Sequence, residues 1–307
     1  MNRYMLLLIA RRIVAGLLTL VIVSMVVFFI TSLLPGDAAQ MILGQNATPQ
    51  TVAALRHQLG LDQPLLVRYY HWFTGLFSGN FGISFASRIP ATLELAAATS
   101  LVSVPLALFI GITAAMQRDK WPDKLLVSGT MATVAVPEFL IATVAVMIFA
   151  VRLHWVPAMS FGSPEPGMLS FIKTYALPVL TLCCVLTAQM ARMTRAAIIS
   201  QLDSPYIEMA ILKGVSPVRA VMRHALPNAA GAIANAISLS LSYLFGGVII
   251  IENIFNYPGL ASQLVDAVSN RDLPVVQICV MLFAGCYLLL LLLADIVTIA
   301  FNPKWRG

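Results

Sequence analysis

Charge is what this chain has least of. Lys, Arg, Asp and Glu make up 10% of its 307 residues, against 59% that are hydrophobic. A water-soluble domain of that composition would lack the polar surface to cover itself, so a soluble globular fold is excluded. Cysteine is scarce as well: Cys183, Cys184, Cys279 and Cys286 all lie within apolar runs, with neither a metal-ligand spacing nor a disulfide framework apparent. They read as small helix-packing residues. The four histidines, His57, His71, His154 and His224, are scattered and build no cluster with metal-ligand spacing. No Gly-x-x-x-x-Gly-Lys-Ser/Thr phosphate loop occurs, so any ATP hydrolysis must come from another polypeptide. Neither catalysis, a bound cofactor nor a metal site is expected of this chain.

What is present is apolar length, with a mean hydropathy of +0.87. Uncharged runs cover Ile13 to Gly36, Leu95 to Gln117, Leu125 to Val151, Thr174 to Ala191, His224 to Ile251 and Leu273 to Ala294. Each reaches the roughly 17–25 residues that a bilayer-spanning helix needs, which predicts an all-α membrane protein of six spans. The first run follows Arg3, Arg11 and Arg12 as a signal peptide would. Such peptides, however, carry an apolar core of only about 7–15 residues, and an uncleaved first span is expected.

Basic residues set the orientation. With six spans and the N-terminus inside, the inner segments hold thirteen of the 19 Lys and Arg, among them Arg118, Lys120, Lys124, Arg192, Arg195, Lys213, Arg219 and Arg223. The longer outer segments hold Arg56, Arg68, Arg88, Arg152, Lys173 and Arg271. This asymmetry predicts both termini in the cytoplasm. It also accounts for the net charge of +6 without any nucleic-acid partner.

One inner segment is unlike the others. From Tyr206 to Pro227 the chain is polar and punctuated by turn residues between two long apolar runs. Ser204-Pro205 and Ser216-Pro217 each place a hydroxyl residue at a helix N-cap with proline following, and Gly214 stands where a helix would stop with a left-handed residue. Two short helices meeting at an elbow are predicted. Glu208, Ala210, Gly214, Leu226 and Pro227 match the Glu-Ala-Ala, three residues, Gly, about eleven residues, Leu-Pro signature of ABC importer membrane subunits, with Met209 in place of the first alanine and His224 where an aliphatic residue is commoner. The chain resembles that family. The resemblance implies that residues 196–227, and Tyr206, Glu208, Ala210, Gly214, His224, Leu226 and Pro227 within them, form the cytoplasmic coupling loop that docks into an ATP-hydrolysing subunit.

The outer segment between the first two spans, residues 33–92, is the longest outside the membrane. Turn residues divide it, predicting one helix from Thr48 to Leu59 and an aromatic-rich one from Pro64 to Leu76 with Tyr69, Tyr70, Trp72 and Phe73. Both are expected over the outer mouth, their rings serving interfacial anchoring or contact with a partner protein. Leu34-Pro-Gly-Asp37, Leu59-Gly-Leu-Asp-Gln-Pro64, Gly79-Asn-Phe-Gly-Ile-Ser84, Ile251-Glu-Asn-Ile-Phe-Asn-Tyr-Pro-Gly-Leu260, Arg271-Asp-Leu-Pro274 and Asn302-Pro-Lys-Trp-Arg306 resemble the oligopeptide, dipeptide and nickel branch of these permeases. The stretch Phe85 to Ile89 is shorter than that branch usually carries before Pro90-Ala-Thr-Leu-Glu94.

Inside the runs, Glu138 follows Pro137 near the middle of the third, and a carboxylate there should not face lipid. It is either partnered within the bundle or lines a pathway, where it would favour a cationic or zwitterionic substrate. Pro105, Gly111 and Gly246-Gly247 would kink helices or allow close packing. Pro137, Glu138, Gly246 and Gly247 are the candidate pathway residues. Asp295 should pair with a basic residue at the inner interface, and Arg192 and Arg195 should end the fourth span there.

The resemblance implies a type I ABC importer permease fold: an N-terminal segment and first span (1–32), an outer loop domain (33–92) and a five-helix core (93–307). It also implies a second, similar permease, two ATP-binding subunits holding ATP and Mg²⁺, an extracytoplasmic binding protein, and a place in a bacterial or archaeal cytoplasmic membrane. Peptides are the first expectation as cargo, with nickel, a metal chelate, an opine or a glutathione-like compound behind. An ion-driven secondary transporter is the alternative class, but Glu138 alone lies well inside a run and no internal repeat is visible. The orientation is tested by labelling single-cysteine variants: Asp62→Cys should react from outside and Lys213→Cys from inside. Labelling of both from one side would refute the six-span arrangement.

Overall fold

A computed structural model describes residues 3–33, 38–44, 47–58, 60–76, 83–160 and 168–301. The motif pieces at 34–37, 79–82 and 302–306 lie outside these described residues. Every regular element among the described residues is helical. The first span is α1 (Arg3–Leu33), followed by three short helices, α2 (Ala38–Leu43), α3 (Pro49–Gln58) and α4 (Leu65–Leu76). The second span, α5 (Ile83–Met116), stays one helix through Pro90 and Pro105 and takes in the short Phe85–Ile89 stretch.

The third run does not form one straight helix. It is α6 (Trp121–Ala135) followed by α7 (Glu138–Ala145), which continues in π-helical turns over Val146–Arg152, and the two parts are bent by 98°. The cause is Pro137. It has no amide N–H, and its ring holds the preceding Val136 in an extended conformation, φ −89° and ψ 127°. Among the described residues five helices are long and apolar enough to cross a membrane, and six if the bent pair is one span. The pair does run the length of the bundle. It starts where Asp123 meets Arg195 near the end of α8 (Met168–Leu202), and it ends where Ser160 donates to the Thr174 carbonyl near that helix's start, 2.7 Å away.

The remainder is α9 (Pro205–Leu212), α10 (Pro217–Arg219), π-helical turns over Ala220–Ala225, α11 (Leu226–Ile254), α12 (Leu260–Ser269) and α13 (Leu273–Phe301). The core lies between α5, α8 and α11, with Leu95, Met190, Val248, Ile251 and Phe255 buried. Gly111 lets α5 and α8 approach: a Cβ there would fall 2.7 Å from the Ala191 carbonyl, so the close-packing role holds. Outside this core α1 lies along α13, its Leu7, Val14, Leu17 and Leu18 turned outward as lipid-facing positions require. Arg12 pairs with Asp295 at 3.2 Å, the basic partner expected for that carboxylate, and Gln277 donates to Thr31 at 2.6 Å toward the other end. The chain therefore enters through α1 and leaves through α13 at the end that also carries Arg195 and α9.

The two helices expected in the outer segment are present as α3 and α4. Rather than capping the bundle, α4 leans against α1: Tyr69 and Ser24 share a hydrogen bond of 2.8 Å, and the Phe28 ring packs on Tyr69 and Trp72 at 5.5 and 5.4 Å.

The far end is organised by Glu252, which is fully buried. It stands one residue past the predicted fifth run, so Glu138 is not the only acid held within the helices. Its carboxylate accepts hydrogen bonds from Thr92 Oγ1 (2.7 Å) and from the amides of Ala261 (2.8 Å) and Ser262 (3.1 Å), the open first turn of α12. Thr92 in turn accepts from the Leu260 amide at 2.7 Å. Gly259 is required beside it, because a Cβ there would overlap the carboxylate. Tyr257 extends the network, donating to the Ala91 carbonyl (2.7 Å) and bonding Tyr175 (3.1 Å), which reaches Glu94 (3.2 Å). Glu252→Ala leaves three buried donors without an acceptor and should cost about 2–4 kcal/mol. A clear fall in the thermal unfolding midpoint in detergent is expected, and an unchanged midpoint would contradict the assignment.

Candidate functional site

Two places carry the residues singled out by sequence: the segment around α9, and the break between α6 and α7.

At α9, Ile207 is fully buried against Ile198, Ala220, Val221 and Ala225, which seats the short helix on the end of the bundle. Gly214 has φ +87°, the left-handed conformation expected of it. Around it the amide of Gly214 donates to the Ile211 carbonyl (2.9 Å), and that of Val215 to the Ala210 carbonyl (3.1 Å). These are the two bonds of a Schellman C-cap, with Gly214 at C′ and Ala210 at C3. The spacing of Ala210 and Gly214 thus has a direct geometric meaning. Ala210 supplies the carbonyl that the reversed chain closes on.

Two parts of the expected elbow differ. Ser204 and Ser216 occupy the N-cap positions, with proline following each, but neither hydroxyl caps its helix. Ser204 Oγ instead bonds back to the Gln201 carbonyl. The second short helix is not separate, for Pro217 to Ile254 run as one continuous helix into the fifth span. Pro227 explains the π-helical turns within it. In a regular α-helix its ring would press on the carbonyl of Arg223, and the wider turn, in which the Leu226 amide reaches back to Val221, relieves this. Leu226 and Pro227 therefore lie inside a helix and do not end a loop.

Glu208 projects from the first turn of α9, exposed, and its carboxylate has no hydrogen bond or ion pair among the described residues. Tyr206 donates to Gln201 Oε1 (3.2 Å) and accepts from Asn228 Nδ2 (3.1 Å), which also donates to the His224 carbonyl (2.9 Å). These bonds fix α9 on the start of α11. Sequence reasoning missed the apolar face beside them: Met209, Leu212, Val218 and Met222 are exposed, Leu212 at 74%. The signal was available in the run Met209-Ala-Ile-Leu212, which is too apolar for a connector lying in water.

Basic side chains surround this end. Arg195 is not a free interfacial charge as expected: it holds Asp123, 2% exposed, by two bonds of 2.6 Å, and the Asp119 amide adds a third at 2.9 Å. The foot of α6 is thereby fixed to α8. Arg118 pairs with Asp203, and that hydrogen bond raises the pKa of its guanidinium. Arg192 is exposed.

At the break, Glu138 and Gly247 come together, and Gly246 does not join them. A Cβ on Gly247 would lie 2.7 Å from Glu138 Oε2, so the missing side chain is the space the carboxylate occupies. Gly246 faces a separate groove with Thr19, Tyr243, Phe245 and Tyr287. Glu138 is half-buried and has no hydrogen bond or ion pair among the described residues. The partner expected for a structural role is not supplied by these residues.

An all-helical bundle of five to six apolar spans, with a short helix seated on its basic end, defines a multi-pass membrane permease. Residues 107–307 match the family described as binding-protein-dependent transport system inner membrane component, and residues 5–93 match the N-terminal region of such membrane components. The chain belongs to this family. It is 37% identical over 306 residues to the glutathione transport system permease protein GsiC of Salmonella typhimurium, covering 96% of this chain and 97% of that protein. The Escherichia coli K12 protein of the same name is 36% identical at the same coverage. The probable peptide ABC transporter permease protein y4tP of Sinorhizobium fredii is 33% identical over 308 residues, 97% of this chain and 98% of that one. This is therefore a permease component in the inner membrane and not the hydrolysing enzyme.

Asp123→Ala strips Arg195 of both its acceptors and leaves the Asp119 amide open. It should cost about 2–4 kcal/mol, read as a lowered unfolding midpoint against Lys124→Ala, which removes an exposed charge. Equal midpoints for the two variants would show that the pair holds nothing.

Proposed function

We propose that this chain is one of two permease subunits of an ATP-driven importer of di- and oligopeptides, with residues 196–227 as the coupling segment. The observation that carries the reading is α9 itself. It is a rigid, Schellman-capped helix anchored by Ile207, and it offers Met209, Leu212 and Glu208 outward at the end of the bundle where Arg12, Arg118 and Arg195 gather. By the basic asymmetry that end is cytoplasmic, as are both termini.

Two ATP-binding subunits, with ATP and Mg²⁺, receive α9; a second, similar permease completes the pathway; a binding protein delivers cargo from outside. Because Pro217–Ile254 is continuous, a displacement of α9 and the elbow passes directly into the fifth span, past Gly247 and up to Glu252. Closure of the motor pair below then becomes rearrangement of helices above. Pro137, Glu138 and Gly247 lie along that pathway, in the cytoplasmic membrane of a bacterium or archaeon. Glutathione is the second cargo reading, favoured by the names of the relatives, ahead of nickel, a metal chelate or an opine. An ion-driven mechanism has less support, since Glu252 is enclosed by Thr92 and the first turn of α12 and serves to join helices.

Gly214→Val forces a β-branched residue into the left-handed region, costing about 1–3 kcal/mol of local strain. No atom of the chain lies within 4 Å of the added Cβ, so the spans should insert and assemble normally. In proteoliposomes of equal complex content, substrate-stimulated ATP hydrolysis and uptake should be lost, with Glu208→Ala milder. Wild-type coupling in Gly214→Val would make this segment an ordinary connector.

A further inference from the structure

Five acidic side chains lie within the long helices, and four of them are held. Glu94 accepts from Tyr175, Asp123 from Arg195, Glu252 from Thr92 and two amides, and Asp295 pairs with Arg12. Glu138 is the exception. The nearest basic residues in sequence, Lys124 and Arg152, are each fourteen positions away, and neither pairs with it. It stands beyond α6, whose 15 residues rise about 22 Å from the basic end, within a hydrocarbon core about 30 Å thick.

Its surroundings are arranged for access. The chain bends by 98° at this point, and exposed apolar side chains flank it at Val136, Phe139 and Leu140. On its other side the carboxylate lies against α11, in the space a side chain on Gly247 would fill, so its open side is the one flanked by these apolar residues. A carboxylate at this depth is costly unless it faces protein or water, and the described residues give it no cationic partner. A cation passing along the pathway would supply one.

We propose that Glu138 receives the protonated amine of the cargo during passage, which makes the substrate class compounds carrying a free primary ammonium, such as peptides with an unblocked N-terminus. An ammonium presents three donors to the two carboxylate oxygens, and it arrives and leaves with the cargo, so the site is compensated only while occupied. The inference rests on the permease reading above.

The test uses the whole complex, with its partner permease, ATP-binding subunits and binding protein, in proteoliposomes. Uptake of trialanine and of glutathione is compared with that of their N-acetylated forms in wild type, Glu138→Gln and Glu138→Asp. Glu138→Gln should lower uptake of the free-amine compounds about tenfold with equal complex recovered. Any acetylated form that the wild type carries should keep its own wild-type rate, and Glu138→Asp should retain at least a third of free-amine uptake. Three results overturn the proposal: unchanged free-amine uptake in Glu138→Gln, Glu138→Asp as inactive as Glu138→Gln, or loss of the partner permease from the purified variant, which would make Glu138 a contact between subunits. Absence of ATP-dependent uptake of all four compounds by the wild type would instead defeat the permease reading, and this proposal with it.

Discussion

The buried carboxylate of Glu252 is the contact on which the far end of this bundle depends. One side chain gathers α5, α11 and the first turn of α12, and each donor it accepts would otherwise be open in an apolar interior. A charge in such surroundings is tolerated only when its bonds are complete. The completeness reaches into the sequence: Gly259 is bare because the carboxylate fills its side-chain space, and Tyr257 carries the tie on to Tyr175 and Glu94. The close of α11, the turn after it and the start of α12 are built around one carboxyl group.

The opposite end is held by different chemistry for a different purpose. There the ties are ion pairs: Arg195 with Asp123 and Arg12 with Asp295 each join two helices, and Arg118 with Asp203 joins the turns that follow α5 and α8. Between the two ends the core is largely apolar, with buried hydroxyls such as Thr99, Ser103, Thr181 and Ser240 among its aliphatic side chains and a close contact at Gly111. Polar networks at both ends and dispersion packing between them suit helices that must shift without unfolding. The π-helical turns at Ala220–Ala225 fall in the element that the proposed coupling requires to move.

Much of this was legible in the sequence, because apolar length is a strong signal in a bilayer. The span positions, the helices at Pro49 and Leu65 and the left-handed Gly214 follow from local rules, and that Asp295 would meet a basic side chain, though not which one, follows from its place near the end of a span. What escaped was decided by tertiary contact. Pro137 was counted within one uncharged span, although proline at that depth can end one helix and start another. Glu252 lay one residue beyond a counted run, and nothing local says that its oxygens will meet amides nine and ten positions later. Ser204 and Ser216 had the right residue type at the right place, yet their hydroxyls leave the caps unmade. Leu226-Pro227 looked like an ending and is a widened turn in a continuous helix.

The central claim is that α9 is the surface through which a separate ATP-hydrolysing subunit acts on these spans. A photo-crosslinking amino acid at position 212, where Leu212 is exposed at the tip of α9, tests it directly in intact membranes. The account predicts a covalent product with the ATP-binding subunit, and none from the same probe at the exposed Tyr70 of α4. Capture of that subunit from position 70, or of lipid alone from position 212, would contradict it.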